Sequence, residues 1–78
     1  MANNSHLKIL TQGVHVWNSW RKNKAFISPD LSGASLMGRN LAGVDFSNTN
    51  LDNADLTNAN LIGARFIGAS LEGTIGLA

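Results

Sequence analysis

A large apolar side chain occupies every fifth position over a long stretch of this chain, and that period limits what the chain can fold into. The nine positions, which we call the ladder, are Leu31, Leu36, Leu41, Phe46, Leu51, Leu56, Leu61, Phe66 and Leu71. Side chains on one face recur every 3.6 residues in a helix and every two in a strand, so a period of five fits neither. It predicts a chain that turns a corner every five residues and points one large residue inward from each short side.

The pentads of residues 29–73 share more than the ladder. Two of them read ADLTN (54–58) and ANLIG (59–63). This pattern resembles the pentapeptide-repeat family, whose loose consensus is A(D/N)LXX. The resemblance implies a mainly β fold, a right-handed quadrilateral parallel β-helix or solenoid of about two coils, with four pentads in each coil.

Four pentads per coil would place residues twenty positions apart next to each other, at the ~4.8 Å spacing of paired strands. Matched residues have this separation, because Phe46 and Phe66 are both aromatic and Asp45 and Arg65 carry opposite charges. Every pentad ends in Gly or Asn, as the positive-φ position of a type II turn requires. The sequence therefore predicts a twenty-residue stacking repeat with a turn at each corner.

Residues 1–28 follow a different rule, and we predict an amphipathic helix from about Ser5 to about Lys22. Apolar residues recur there at spacings of three and four, and Asn4 or Ser5 is expected to cap the helix N-terminus. The end of a stacked repeat exposes unpaired backbone groups and an apolar interior, so we expect the helix to cover it. The residues expected to do so are Leu7, Leu10, Val14, Trp17 and Trp20.

The sequence thus divides into a capping helix with its linker, 1–28, and the repeat, 29–78. Cysteine is absent, which excludes a disulfide framework and indicates a reducing compartment. No apolar run approaches the ~20 residues that span a bilayer, and the N-terminus lacks the pattern of a secretory signal. We therefore expect a cytoplasmic protein without a transmembrane segment.

No arrangement of side chains indicates catalysis. His6 and His15 are the only imidazoles, and their spacing puts the two rings on opposite sides of a helix. Ser and Thr in the repeat lie at outward or corner positions, where polarity alone explains them. We predict that the protein is not an enzyme and has no catalytic residue, metal site or cofactor.

Three functions remain open, and we favour a structural or protein-interaction module. The alternative is a DNA mimic that binds type II topoisomerases and protects them from quinolones, as some proteins that the repeat resembles do. Such mimicry needs a long acidic column, whereas residues 29–78 carry Arg39 and Arg65 against five acids. The third is a basic helix whose Trp residues contact anionic polymers or membranes, although we do not expect a nucleic-acid partner.

The C-terminal end of the repeat is the expected interface. Gly76 falls at the next ladder position and leaves Leu71 uncovered. The candidate interface residues are Ile62, Ile67 and Leu77, which occupy outward positions that are polar in most pentads. Because the helix covers the other end, a two-fold pair that meets C-terminus to C-terminus would be a closed assembly. We predict a homodimer, or docking of another protein, through this end.

Overall fold

The computed structural model describes residues 1–77. Helix α1 spans Asn4–Thr11 and helix α2 spans Val14–Asn23. Residues 29–75 form a stack of tight turns, and both helices pack against one end of its core.

The helical segment is broken at Gly13, so the prediction of one helix from about Ser5 to about Lys22 is wrong. Gly13 has a φ of 112°, a value that glycine adopts at little cost and that no helix contains. The predicted N-cap is also wrong, because Asn3 caps α1. Its side-chain oxygen accepts hydrogen bonds from the N–H groups of Ser5 at 2.8 Å and His6 at 3.2 Å.

Single-residue parallel bridges join positions twenty residues apart, which confirms the predicted spacing. They pair Asp30 with Asn50, Ser35 with Asp55, Asn40 with Asn60, Asp45 with Arg65, Asn50 with Ser70 and Asp55 with Ile75. No strand or sheet forms within residues 1–77, so the prediction of a mainly β fold, a β-helix or solenoid, is wrong. A turn follows each bridge at once, and one paired residue is too short to be a strand. We call each group of four consecutive pentads a level.

Each corner is a turn with a positive-φ residue at its third position, as predicted. In the first pentad the N–H of Ala34 donates to the C=O of Leu31 at 3.1 Å, and Gly33 between them has a φ of 69°. All nine pentad-final residues have a φ between 56° and 74°. Gly and Asn tolerate this region better than other residues do, which explains their place in the repeat.

Three backbone groups of each of the first five pentads bond to the next level. In the first pentad the N–H groups of Leu31 and Gly33 donate to the C=O groups of Asn50 and Asp52, both at 2.8 Å, and the C=O of Pro29 accepts from the N–H of Asn50 at 2.8 Å. The next four pentads repeat this pattern. Each level therefore presents the N–H groups of its ladder and pentad-final residues, and the C=O groups of its pentad-first residues, toward the level that follows.

The ladder forms the core. The ladder residues of the first six pentads are at most 2% exposed: Leu31, Leu36, Leu41, Phe46, Leu51 and Leu56. The rings of Phe46 and Phe66 stack with their centroids 5.9 Å apart. Leu61, Phe66 and Leu71 are only half-buried, because none of the described residues forms a complete level beyond them.

Asp or Asn at the second position of a pentad stabilises the turn that follows it. The side-chain oxygen accepts a hydrogen bond from the N–H two residues later, a local pattern that these residue types favour. The acceptors are Asp30, Asn40, Asp45, Asn50, Asp55 and Asn60. Hydrogen bonds from Thr57 hold the pKa of Asp55 below its ordinary value, because they stabilise the ionised carboxylate.

Substitutions at Gly63 test the corner conformation. Gly63 has a φ of 72°, and a Cβ there would meet only the backbone of Gly43 at 3.9 Å. We expect Gly63→Ala to lower the free energy of unfolding by about 1 kcal/mol, because of the left-handed backbone. Gly63→Asn should cost less despite its larger side chain. Urea unfolding followed by circular dichroism measures both losses, and an Ala variant as stable as the Asn variant would contradict the turn assignment.

Candidate functional site

The N-terminal edge of the repeat is bonded to α1 and its N-cap. The N–H of Asp30 donates to Nδ1 of His6 at 3.1 Å, and the C=O of Asp30 accepts from the N–H of Asn3 at 2.9 Å. At the corresponding position of the next level, the N–H of Asn50 donates to the level before it. His6 and Asn3 therefore supply the bonds that a preceding level would otherwise make on this side.

Helix α2 does the same on an adjacent side. The indole N–H of Trp17 donates to the C=O of Asp45 at 2.8 Å. The Asn18 amide accepts from the N–H of Asp45 at 2.9 Å and donates to the C=O of Gly43 at 3.0 Å. We use the term helical cap for residues 3–23, which make these contacts.

A row of aromatic rings joins the helical cap to the core. The centroid distances are 5.2 Å from His6 to Trp20, 5.2 Å from Trp20 to Trp17 and 5.9 Å from Trp17 to Phe46. Of the predicted cap residues, Leu10 and Trp17 are buried. The other three, Leu7, Val14 and Trp20, are partly buried and pack against the core. The Trp17 ring is 0% exposed, so its faces contact protein and are closed to other molecules.

Arg21 is a buried cation beneath the repeat. It is 5% exposed, and its Nη1 donates to the hydroxyl of Thr49 at 2.9 Å. Burial raises the pKa of Asp45, but hydrogen bonds from Ser47 and the charges of Arg21 and Arg65 outweigh this effect and hold the pKa below its ordinary value. The positive charge of Arg21 is therefore partly offset by a nearby ionised carboxylate.

A shallow polar groove lies where α2 meets the repeat. Its volume is about 190 Å³, and it is lined by Asn18, Lys22, Gly43, Asp45 and Arg65. Pockets for small organic ligands usually measure roughly 300–1,000 Å³. The Asn18 amide also bonds to the backbone through both its oxygen and its nitrogen. The groove therefore does not have the size of a typical substrate site.

The C-terminal edge is open. Within residues 1–77, six of its N–H groups have no acceptor: those of Leu61, Gly63, Phe66, Gly68, Leu71 and Gly73. The C=O groups of Ala59, Ala64 and Ala69 likewise accept no bond from this part of the chain. The predicted interface residues lie beside this edge, with Ile62 78% exposed, Ile67 79% and Leu77 42%.

The chain departs from the ladder at this edge. Gly76 has a φ of 90°, and a Cβ there would overlap the backbone of Leu56 and Thr57. The chain therefore leaves the ladder after Ile75 and bends toward the level beneath it. The N–H and C=O of Ile75 still bond Ala54 and Leu56 of the preceding level, in the pattern of the other three sides. We name the four sides by their central residues as the Asn60, Arg65, Ser70 and Ile75 sides.

A family model described as pentapeptide repeats matches residues 40–75, with eight copies. The repeat segment of this chain belongs to the pentapeptide-repeat family. No curated protein and no solved structure matches the chain. The match begins within the third predicted pentad, so the helical cap lies outside it.

The pentapeptide-repeat family is generally non-catalytic and suggests a structural or interaction module. Across residues 1–77, no three His, Asp or Glu side chains come together in a way that could hold a metal ion. That part of the chain also has no helix that is long and apolar enough to cross a bilayer.

Four polar residues that bond the helical cap to the pentapeptide repeat were not predicted: Asn3, His6, Asn18 and Arg21. The sequence indicated no role for His6 beyond that of a possible catalytic base. A signal existed for Arg21, because it lies four residues after Trp17 and so shares the face of α2 that packs on the repeat. The signal for Asn3, His6 and Asn18 was that the unpaired backbone groups at the edge of the repeat require hydrogen-bond donors and acceptors.

Trp17 tests whether α2 holds the helical cap in place. We expect Trp17→Ala to lower the free energy of unfolding by about 3–5 kcal/mol, because it opens a cavity in the core. Trp17→Phe should cost less, since it keeps most of the ring but leaves the C=O of Asp45 unpaired. Val16→Ala, on the 39% exposed neighbour, is the control. A loss for Trp17→Ala no larger than that of the control would show that α2 does not dock through this ring.

Proposed function

We propose that this chain is a non-catalytic interaction module that pairs with a second copy of itself through the C-terminal edge of its repeat. The observation that supports the proposal is the set of six N–H groups at that edge without an acceptor in residues 1–77. They surround three half-buried ladder residues, Leu61, Phe66 and Leu71. A partner that supplies acceptors and covers these ladder residues pairs the open N–H groups and buries the apolar surface at the same time.

Exposed apolar side chains beside the edge add a driving force for pairing. Ile62 and Ile67 are more than three-quarters exposed, at 78% and 79%. Burying one such side chain fully stabilises a complex by about 1.5–3 kcal/mol, and the lost freedom of the two chains offsets part of that gain. In a two-fold contact every residue contributes twice.

The two edges of the repeat differ, which favours a closed pair over a growing chain of copies. Head-to-tail stacking would bring the C-terminal edge of one copy to the N-terminal edge of the next. There the helical cap already bonds Asp30 and Asp45. A C-terminus to C-terminus contact avoids the cap and closes after two copies.

The other two functions lack a specific supporting observation. Binding of nucleic acid by stacking needs exposed aromatic faces, whereas Trp17 is buried and Trp20 packs against the rings of Trp17 and His6. DNA mimicry needs an unbroken acidic surface, and both Arg39 and Arg65 are exposed. Topoisomerase binding and binding of anionic polymers or membranes therefore stay predictions from the sequence.

Ile67→Lys tests the proposed interface. We expect this change to shift the purified chain from dimer to monomer, because it would put a charge into an apolar contact. Light scattering over a range of concentrations measures the mass. Met37→Lys is the control, since Met37 is also exposed, at 56%, but precedes the last level by more than a full turn of the stack. A wild-type chain that stays monomeric at hundreds of micromolar would contradict the proposal.

A further inference from the structure

We infer that the two copies meet through antiparallel bridges, with Asn60 opposite Asn60 and Ser70 opposite Ser70. This inference rests on the proposed pairing and specifies its register. Two kinds of observation carry it: which backbone groups are open at the C-terminal edge, and which side chains lie beside them.

Each open side presents the C=O group of the residue before its central residue and the N–H group of the residue after it. On the Asn60 side these are the C=O of Ala59 and the N–H of Leu61, neither of which has a partner in the described chain. The N–H and C=O of Asn60 itself point to the preceding level, where they bond Arg39 at 2.9 Å and Leu41 at 2.8 Å. The Arg65 and Ser70 sides repeat this arrangement.

Such an edge is complementary to a second copy of itself in antiparallel orientation. In one of the two antiparallel pairings, the C=O before a central residue accepts from the N–H after the opposite residue, and the reverse bond forms as well. The N–H of Leu61 in each copy then donates to the C=O of Ala59 in the other. A two-fold axis relates these two bonds to each other, so both form with the backbone conformation that each copy already has.

The arrangement of the four sides limits the axis of the pair. Four consecutive pentads make one level, so the Asn60 side lies across from the Ser70 side and the Arg65 side lies across from the Ile75 side. An axis through two opposite sides pairs each of them with its own copy and brings the other two sides against each other. Two such axes are possible, one through the Asn60 and Ser70 sides and one through the Arg65 and Ile75 sides.

The charge of Arg65 decides between these two axes. An axis through the Arg65 side would place Arg65 opposite Arg65, and like charges directly opposite each other destabilise a pair. An axis through the Asn60 and Ser70 sides pairs two neutral polar residues with their own copies. It also brings the Arg65 side, with Ile67, against the Ile75 side of the second copy, which carries Ile75 and Leu77, both exposed. Exposed apolar residues thus meet at two symmetric places.

Single cysteines test this register without background, because the chain has no cysteine of its own. In the inferred pairing the two Asn60 Cα atoms lie about 4.5 Å apart, which is within the range that a disulfide spans. We expect mild oxidation to convert most of Asn60→Cys to a species of twice the 8.3 kDa monomer mass. Ser70→Cys should behave in the same way, and it serves as the second variant if Asn60→Cys folds poorly.

Two further variants serve as controls. Asn40→Cys lies on the Asn60 side one level earlier and should stay monomeric under oxidation, as should Arg65→Cys. Cross-linking of Arg65→Cys when Asn60→Cys does not cross-link would overturn the inferred register. Cross-linking of Asn40→Cys would overturn it as well. Light scattering of the reduced Asn60→Cys variant separates the two claims: a dimer that does not cross-link leaves the proposed pairing intact and overturns only the register, whereas a monomer overturns both.

Discussion

The hydrogen bond between levels is the interaction on which the rest of this structure depends. Each pentad has one large residue inside and only one bridged residue on its side, so no strand or helix of its own stabilises it. The N–H groups of the ladder and pentad-final residues and the C=O groups of the pentad-first residues tie each level to the next. These groups have no hydrogen-bond partner within their own level. Those at the outer edges of the first and last levels must therefore find partners elsewhere.

The two ends meet that requirement differently. At the N-terminal edge His6, Trp17 and Asn18 bond the backbone of Asp30 and Asp45, so side chains replace a missing level on two sides. Leu10 and Trp17 cover the apolar interior there. At the C-terminal edge, the N–H groups of Leu61, Phe66 and Leu71 have no acceptor within residues 1–77. The proposed pairing follows from this inequality between the ends.

Much of the repeat could be predicted from the sequence, because its determinants are local. The period of the ladder, the positive-φ residues at the corners and the twenty-residue spacing all follow from residues within one pentad or from matched pairs such as Phe46 and Phe66. The strands were predicted wrongly, since the family resemblance indicated their direction but not that turns leave one bridged residue per side. The contacts of His6 and Asn18 span 24 to 27 residues of sequence, and no local pattern reveals such bonds between a side chain and a distant backbone group.

Amide hydrogen exchange tests most directly whether the helical cap replaces a level. Asp30, Ser35, Asn40 and Asp45 occupy equivalent positions in the first four pentads, but only Asp30 and Asp45 donate to the cap, while the N–H groups of Ser35 and Asn40 have no acceptor in residues 1–77. Exchange measured by NMR should be slow at Asp30 and Asp45 and fast at Ser35 and Asn40. Similar rates at all four amides would contradict the account, because the cap would then cover the core without bonding the edge.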